Sequence, residues 1–303
     1  MEFSIGNEDL CRKKYGILGV PWDGGASLGR PGARYAPGKV REALSWIVNR
    51  IQDNRLAVIE KQTIVDLKDV CIKDFGDIDI VYHDYKQTFD AITNKAKDIL
   101  SQGFIPLVIG GDHSISFPLI RGLQAQTSGN IGIIQFDAHL DLLDESVCQG
   151  RFSHSSEIRR AIELERVSAR NLVQIGVRGF NYPDNWEIIT SNNIKQFTPQ
   201  HLRYSKIEEV VETSLEIVSK GTEKIYMTVD IDAIDPAYAP GAGANEPGGL
   251  TVAEVEYLVD RFAPSVDFFD VVEVNPIFDI NDMTAAVAAK LMVDFIISGA
   301  IAK

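Results

Sequence analysis

Hydrophobic positions along the chain follow two recurring patterns. Nearly continuous apolar runs occupy residues 15–20, 104–109, 131–136, 172–177, 225–229 and 266–274. Each is bounded by Gly, Asp or Pro, the mark of a strand buried on both faces. Between the runs lie segments of helical periodicity at 85–102, 116–124, 207–220, 252–262 and 283–301. Within 207–220, Val210, Val211, Leu215 and Val218 recur on one helical face. No internal repeat, low-complexity tract or linker interrupts the alternation. Strands alternating with helices predict a parallel sheet covered on both faces. Such sheets carry their chemistry beyond the carboxyl ends of the strands, so the residues following each run are the candidates.

Four of those ends deliver carboxylates or imidazoles: Gly110-Gly111-Asp112-His113-Ser114, Asp137-Ala138-His139-Leu140-Asp141, Asp230-Ile231-Asp232-Ala233-Ile234-Asp235 and Glu273-Val274-Asn275-Pro276. In an extended segment alternate residues point the same way, so Asp137, His139 and Asp141 are expected on one side. Asp230 and Asp232 repeat the spacing. A single Asp-x-Asp after a strand is ordinarily a helix cap or turn. Four acidic ends converging on one edge instead repel one another unless a cation is held among them. Hard oxygen ligands with a minority of imidazole suit two Mn²⁺ ions, and the absence of thiolate argues against structural zinc.

Charge and composition narrow the partners. The 303 residues include 30 Lys and Arg against 43 Asp and Glu, a formal charge of −13. That balance argues against nucleic-acid binding and favours small cations. Cys11, Cys71 and Cys148 form no CxxC pair, which suits a reducing cytoplasm. The amino terminus lacks the basic and apolar regions of a secretory signal. The apolar stretch at 291–302 is too short to span a bilayer and contains Asp294, so no membrane partner is expected. His83 and His201 lie in polar stretches and are expected to face solvent.

The strand-end motifs resemble the signatures of the ureohydrolases, the family of arginase, agmatinase, guanidinobutyrase, proclavaminate amidinohydrolase and formimidoylglutamase. The likeness runs from Val20-Pro21-Trp22-Asp23-Gly24-Gly25 and Arg30-Pro31-Gly32-Ala33-Arg34 to Val272-Glu273-Val274-Asn275-Pro276. It implies a single α/β domain over residues 1–303, three layers deep, with a mainly parallel sheet of about eight strands. It also implies two Mn²⁺ ions, with Ni²⁺ or Co²⁺ as alternatives. One would be held by His113, Asp137, Asp141 and Asp230, the other by Asp137, His139, Asp230 and Asp232, with a hydroxide between them as nucleophile. Asp141, His154 and Glu273 are the catalytic residues carried over. His154 would pass a proton to the leaving amine, although Ser155 stands where relatives carry glycine. Glu273 would pair with the substrate guanidinium, a planar fork of donors. A homo-oligomer, trimer or hexamer, follows from the same resemblance.

The substrate tail is read from residues 142–150, where Asp144 and Glu145 replace the Asn/Ser/Thr-rich stretch with which arginase grips an α-amino acid. Two carboxylates there would repel a substrate carboxylate and attract a distal ammonium. Agmatine, hydrolysed to putrescine and urea, is therefore expected ahead of arginine or 4-guanidinobutanoate. Gln135, the strand at 172–176 and Asp282-Met283-Thr284 look like formimidoylglutamase, whereas His154 speaks against it. Residues 242–249 depart from the family's usual Thr-Pro version. A single-zinc deacetylase would lack Asp141 and His113, and a non-catalytic metabolite-binding relative would have lost ligands.

Overall fold

Every apolar run forms a strand, and the strands assemble in an order far from that of the chain. The computed structural model describes residues 4–5, 11–26, 30–145 and 148–301. Most of the amino-terminal stretch read above for a leader, Ser146 and Val147, and Ala302 lie outside the described residues. The strands are β1 (Ser4–Ile5), β2 (Lys13–Gly19), β3 (Arg55–Val58), β4 (Thr63–Asp66), β5 (Val70–Asp77), β6 (Ile105–Ile109), β7 (Asn130–Phe136), β8 (Val167–Ile175), β9 (Lys195–Phe197), β10 (Thr222–Asp230) and β11 (Phe268–Val272). The helices are α1 (Ala36–Val48), α2 (Tyr85–Ser101), α3 (Ser116–Gln124), α4 (Glu157–Ala161), α5 (Pro183–Asn192), α6 (Pro199–Tyr204), α7 (Ile207–Ser219), α8 (Val252–Phe262) and α9 (Met283–Ile301).

Among the described residues, nine strands make one sheet in the order β1-β5-β2-β6-β11-β10-β7-β8-β9. β1 is antiparallel to β5, and the other eight run parallel. β3 and β4 form a separate hairpin. β5 and β9 are absent from the apolar pattern for simple reasons. Lys73 and Asp74 interrupt β5, and β9 has three residues. Side chains alternate between the two faces. In β7, Ile131 and Ile133 pack on the side of α2, α3 and α4, while Ile134 and Phe136 pack on the side of α1, α7, α8 and α9. Each such buried side chain contributes about 1.5–3 kcal/mol of transfer free energy.

α9 departs from the sequence reading of 291–302. It is a 19-residue helix, long and apolar enough to cross a membrane, and an 18-residue window of it has mean hydropathy 1.7 with 61% buried in this fold. Tyr15 and Phe269 pack against its Phe295. A helix apolar all round belongs in a core when other elements cover it, as α1 and α8 do here.

The sheet order positions the chemistry. β6 is followed in the chain by β7, yet β11 and β10 lie between them. The four motif-bearing ends, after β6, β11, β10 and β7, therefore form one contiguous row.

Candidate metal centre and active site

Asp112, Asp137 and Asp230 each leave a strand and close a short turn through one carboxylate oxygen. Their Oδ1 atoms accept hydrogen bonds from the amides of Ser114 at 3.0 Å, His139 at 2.6 Å and Asp232 at 2.8 Å. The capping role is real, but it occupies one oxygen of each pair. The expected alternation along residues 137–141 needs correction, because the segment is bent rather than extended. Asp141 adopts a left-handed φ of 52°. His139 and Asp141 consequently face different groups of ligands instead of one.

The first group surrounds His113, whose side chain is fully buried. Its Nδ1 stands 3.1 Å from Asp137 Oδ2, 3.1 Å from Asp141 Oδ2, 3.3 Å from Asp230 Oδ2 and 3.7 Å from Glu157 Oε1. It makes a directed hydrogen bond to none of them. The second group surrounds His139, with Nδ1 at 3.4 Å from Asp137 Oδ1 and 3.2 Å from Asp232 Oδ2. Asp137 thus faces both groups, one oxygen to each. Asp230 faces the first group through Oδ2.

A second layer fixes these side chains. His113 Nε2 lies 2.9 Å from Thr228 Oγ1. With Nε2 bonded to Thr228, Nδ1 is the ring nitrogen that faces the carboxylates. Three amides on neighbouring strands lead to Asp137. Gln196 Nε2 donates to Gln174 at 2.8 Å, Gln174 to Gln135 at 2.8 Å, and Gln135 to Asp137 Oδ2 at 2.7 Å. Gln135 is thereby a support for Asp137. Arg178, which the motifs did not single out, ties the Asp232 carbonyl to the 242–249 segment through the Glu246 carbonyl, at 2.7 Å and 3.0 Å.

Beside the first group, Glu273 Oε1 accepts from the His113 amide at 2.9 Å and lies 2.9 Å from His154 Nδ1. Glu273 holds a left-handed φ of 62°, a conformation costing roughly 1–3 kcal/mol. Its amide is anchored to the Gly111 carbonyl at 2.9 Å. Gly111 itself packs so tightly that a Cβ would collide with the Trp22 carbonyl oxygen. His154 Nε2 is buried without a hydrogen-bond partner. Ser155 has no left-handed φ, so the glycine of relatives is not required at this backbone.

Charge states follow from this packing. Burial alone would lower His113 and His154, but the surrounding carboxylates outweigh it. The nearby carboxylates of Glu157, Asp137, Asp141 and Asp230 hold His113 well above its ordinary value, and Glu273 lifts His154 to about 9. Burial, reinforced by Asp137, pushes Asp141 up to about 6. Burial, with Asp232 and Asp137, raises Asp230 well above the carboxylate range. Glu273 is lowered despite burial, because His154 pairs with it.

Asp144 and Glu145 lie outside both groups, on an exposed cleft shared with Arg159, Asp184 and Glu187. A smaller recess lined by His139, Asp141, Leu143, Ser155 and Tyr182 adjoins it, with Leu143, Ser155 and Tyr182 common to both. Asp144 is paired with Arg151 and Arg160, each at 2.6 Å, so its charge is compensated within the fold. Asp144 is therefore not one of two free carboxylates at residues 142–150. His83 and His201 are exposed, as expected.

The residues fit a pair of divalent ions. An unpartnered imidazole nitrogen and an unpartnered carboxylate face one another among buried carboxylates, a donor set of hard oxygens with one nitrogen per group. The motifs passed over Glu157, whose place at the first turn of α4 reads in sequence as an ordinary helix-start acid.

Residues 13–298 match the model of the arginase family. The chain is 32% identical over 291 residues to guanidinopropionase of Pseudomonas aeruginosa, covering 95% of this chain and 87% of that one. It is 31% identical over 287 residues to the mitochondrial agmatinase of Gallus gallus, covering 92% and 79%. The crystal structure of formimidoylglutamase from Bacillus subtilis is similar with a TM-score of 0.85 at 30% identity, over 98% of this chain and 90% of that one.

Proposed function

From the premise that the chain belongs to the arginase family, whose members hydrolyse guanidino and amidino groups, we propose that it uses two Mn²⁺ ions to release urea from agmatine. The observation that carries this reading is Asp137, set between two histidine–carboxylate groups beneath a cleft with an acidic rim. His113, Asp137, Asp141 and Asp230 would hold one ion, and Asp137, His139 and Asp232 the other, with Asp230 as a further bridge. When bound, the ions would supply an activated water at neutral pH. Glu273 binds and orients the guanidinium. His154, held by Glu273 through Nδ1, carries a proton at Nε2 to the departing amine.

The tail is argued from the rim. Asp144 is neutralised, but Glu145, Asp184 and Glu187 line the same cleft against Arg159. An acidic rim favours the distal ammonium of agmatine over an α-carboxylate. Arg159 favours the second reading, a guanidino or formimino acid whose tail carboxylate it would receive. Urea release from agmatine, arginine, 3-guanidinopropionate and 4-guanidinobutanoate, with formamide release from formiminoglutamate, separates the two. A higher kcat/KM for any carboxylate-bearing compound overturns the agmatine assignment. A homo-oligomer, trimer or hexamer, is part of the same proposal and is checked by light scattering.

A further inference from the structure

We propose that Glu157 is a ligand of the ion held at His113, a carboxylate beyond the six residues assigned above. The proposal rests on the two-ion reading and deepens it. Glu157 opens α4 and is 1% exposed. Neither of its carboxylate oxygens accepts a hydrogen bond. A buried carboxylate without donors is costly unless a cation compensates it.

The surroundings supply no other cation. Among the described residues the ion-pair partner of Glu157 is His113, at 3.7 Å. Arg159 and Arg160, its neighbours on the same helix, turn away to Glu163 and Asp144. The Arg159 amide donates to the Asp141 carbonyl at 3.1 Å, so the first turn of α4 is fastened to the loop that carries Asp141. Glu157 is therefore held at the group and not swung there by a flexible stem.

The geometry suits direct ligation. Ligand atoms of His113, Asp137, Asp141 and Glu157 all lie within 4.8 Å of one another. An ion with bonds of about 2.1 Å sets its ligands roughly 3 to 4.2 Å apart, so small adjustments bring all four into one shell. With Asp230 Oδ2 at 3.3 Å from His113 Nδ1, this ion would meet four carboxylates and one imidazole. The His139 group has no counterpart to Glu157 among the described residues.

The test compares wild type with Glu157→Gln, both stripped with a chelator and titrated with Mn²⁺ by calorimetry, with ions per chain counted by elemental analysis. The expected result is one ion bound as in wild type and the other about 100-fold more weakly, the upper range for altered metal surroundings. The melting temperature of the stripped variant should rise, because one member of a like-charge cluster is gone, while its gain on adding Mn²⁺ should shrink. A carboxyl with a purely structural role would not produce those opposite shifts. Two ions bound with wild-type affinity and an unchanged Mn²⁺-induced gain overturn the proposal. Should Glu157→Gln fail to fold, Glu157→Asp, which withdraws the carboxylate by one methylene but keeps its charge, is read by the Mn²⁺ affinity, the ion count and the Mn²⁺-induced gain alone. Wild type binding fewer than two ions overturns the two-ion reading itself, a result distinguishable from a variant that matches a two-ion wild type.

Discussion

The two histidine groups share Asp137 and differ in almost everything around it. The His113 side chain is fully buried, backed by Thr228, and faced by Asp137, Asp141, Asp230 and Glu157. The His139 side chain is 36% exposed, faces Asp137 and Asp232, and lines the recess below the cleft. Concentrated carboxylates in a dry place attract a cation strongly and release it slowly, whereas a group open to water exchanges readily. On the two-ion proposal, the difference would give a retained ion to the buried group and an exchangeable one to the open group.

The largest expected effect comes from the residue the groups share. Asp137→Asn should abolish binding of both ions and reduce urea release to background. Asp230→Asn should weaken the buried ion first, since its free oxygen faces His113. In wild type, a chelator series should remove the two ions in separate steps, with His139→Ala eliminating the early step. Simultaneous release of both ions would erase the proposed distinction.

His154 sharpens the comparison next, because it lies beside the buried group without belonging to it. His154→Asn should lower kcat roughly 10²–10⁴-fold, the usual range for a general acid or base, with two ions still bound. Near-normal turnover would remove it from the chemistry.

A smaller effect concerns pH. His154 titrates near 9 in the fold against 6.5 in a free chain, because Glu273 outweighs the burial that would lower it. A raised imidazole contributes stability fully below the unfolded value, and that contribution is lost as pH rises through the folded one. The stability gap between wild type and Glu273→Gln should therefore narrow from pH 6.5 to 10. A gap constant across that window would show that the pair contributes no such linkage.

The smallest effect belongs to the rim. Asp144→Asn should lower stability only slightly, since the Asp144 carboxylate is exposed and buried Arg160 keeps its pair with Glu163, and leave substrate preference unchanged. Glu145→Gln combined with Asp184→Asn should narrow the agmatine-to-arginine ratio of kcat/KM by less than about tenfold. A larger response to Asp144→Asn would return that residue to the binding surface.

Much of this molecule is written in short stretches of chain. Buried strands announce themselves as apolar runs, and α2, α3, α7 and α8 by their periodicity, because both patterns record burial within a single element. The acids and histidines at the strand ends were legible for the same local reason. The row they form was not, since it depends on β10 and β11 inserting between β6 and β7, a matter of long-range pairing. Three further features lay beyond the sequence. The left-handed turn at Asp141 divides its motif between two groups, Arg160 neutralises Asp144 from 16 positions away, and Glu157 turns inward from a helix start. Composition and spacing determine which chemical groups leave each strand; only packing decides which of them share a dry space, and a carboxylate's role depends on its neighbours there.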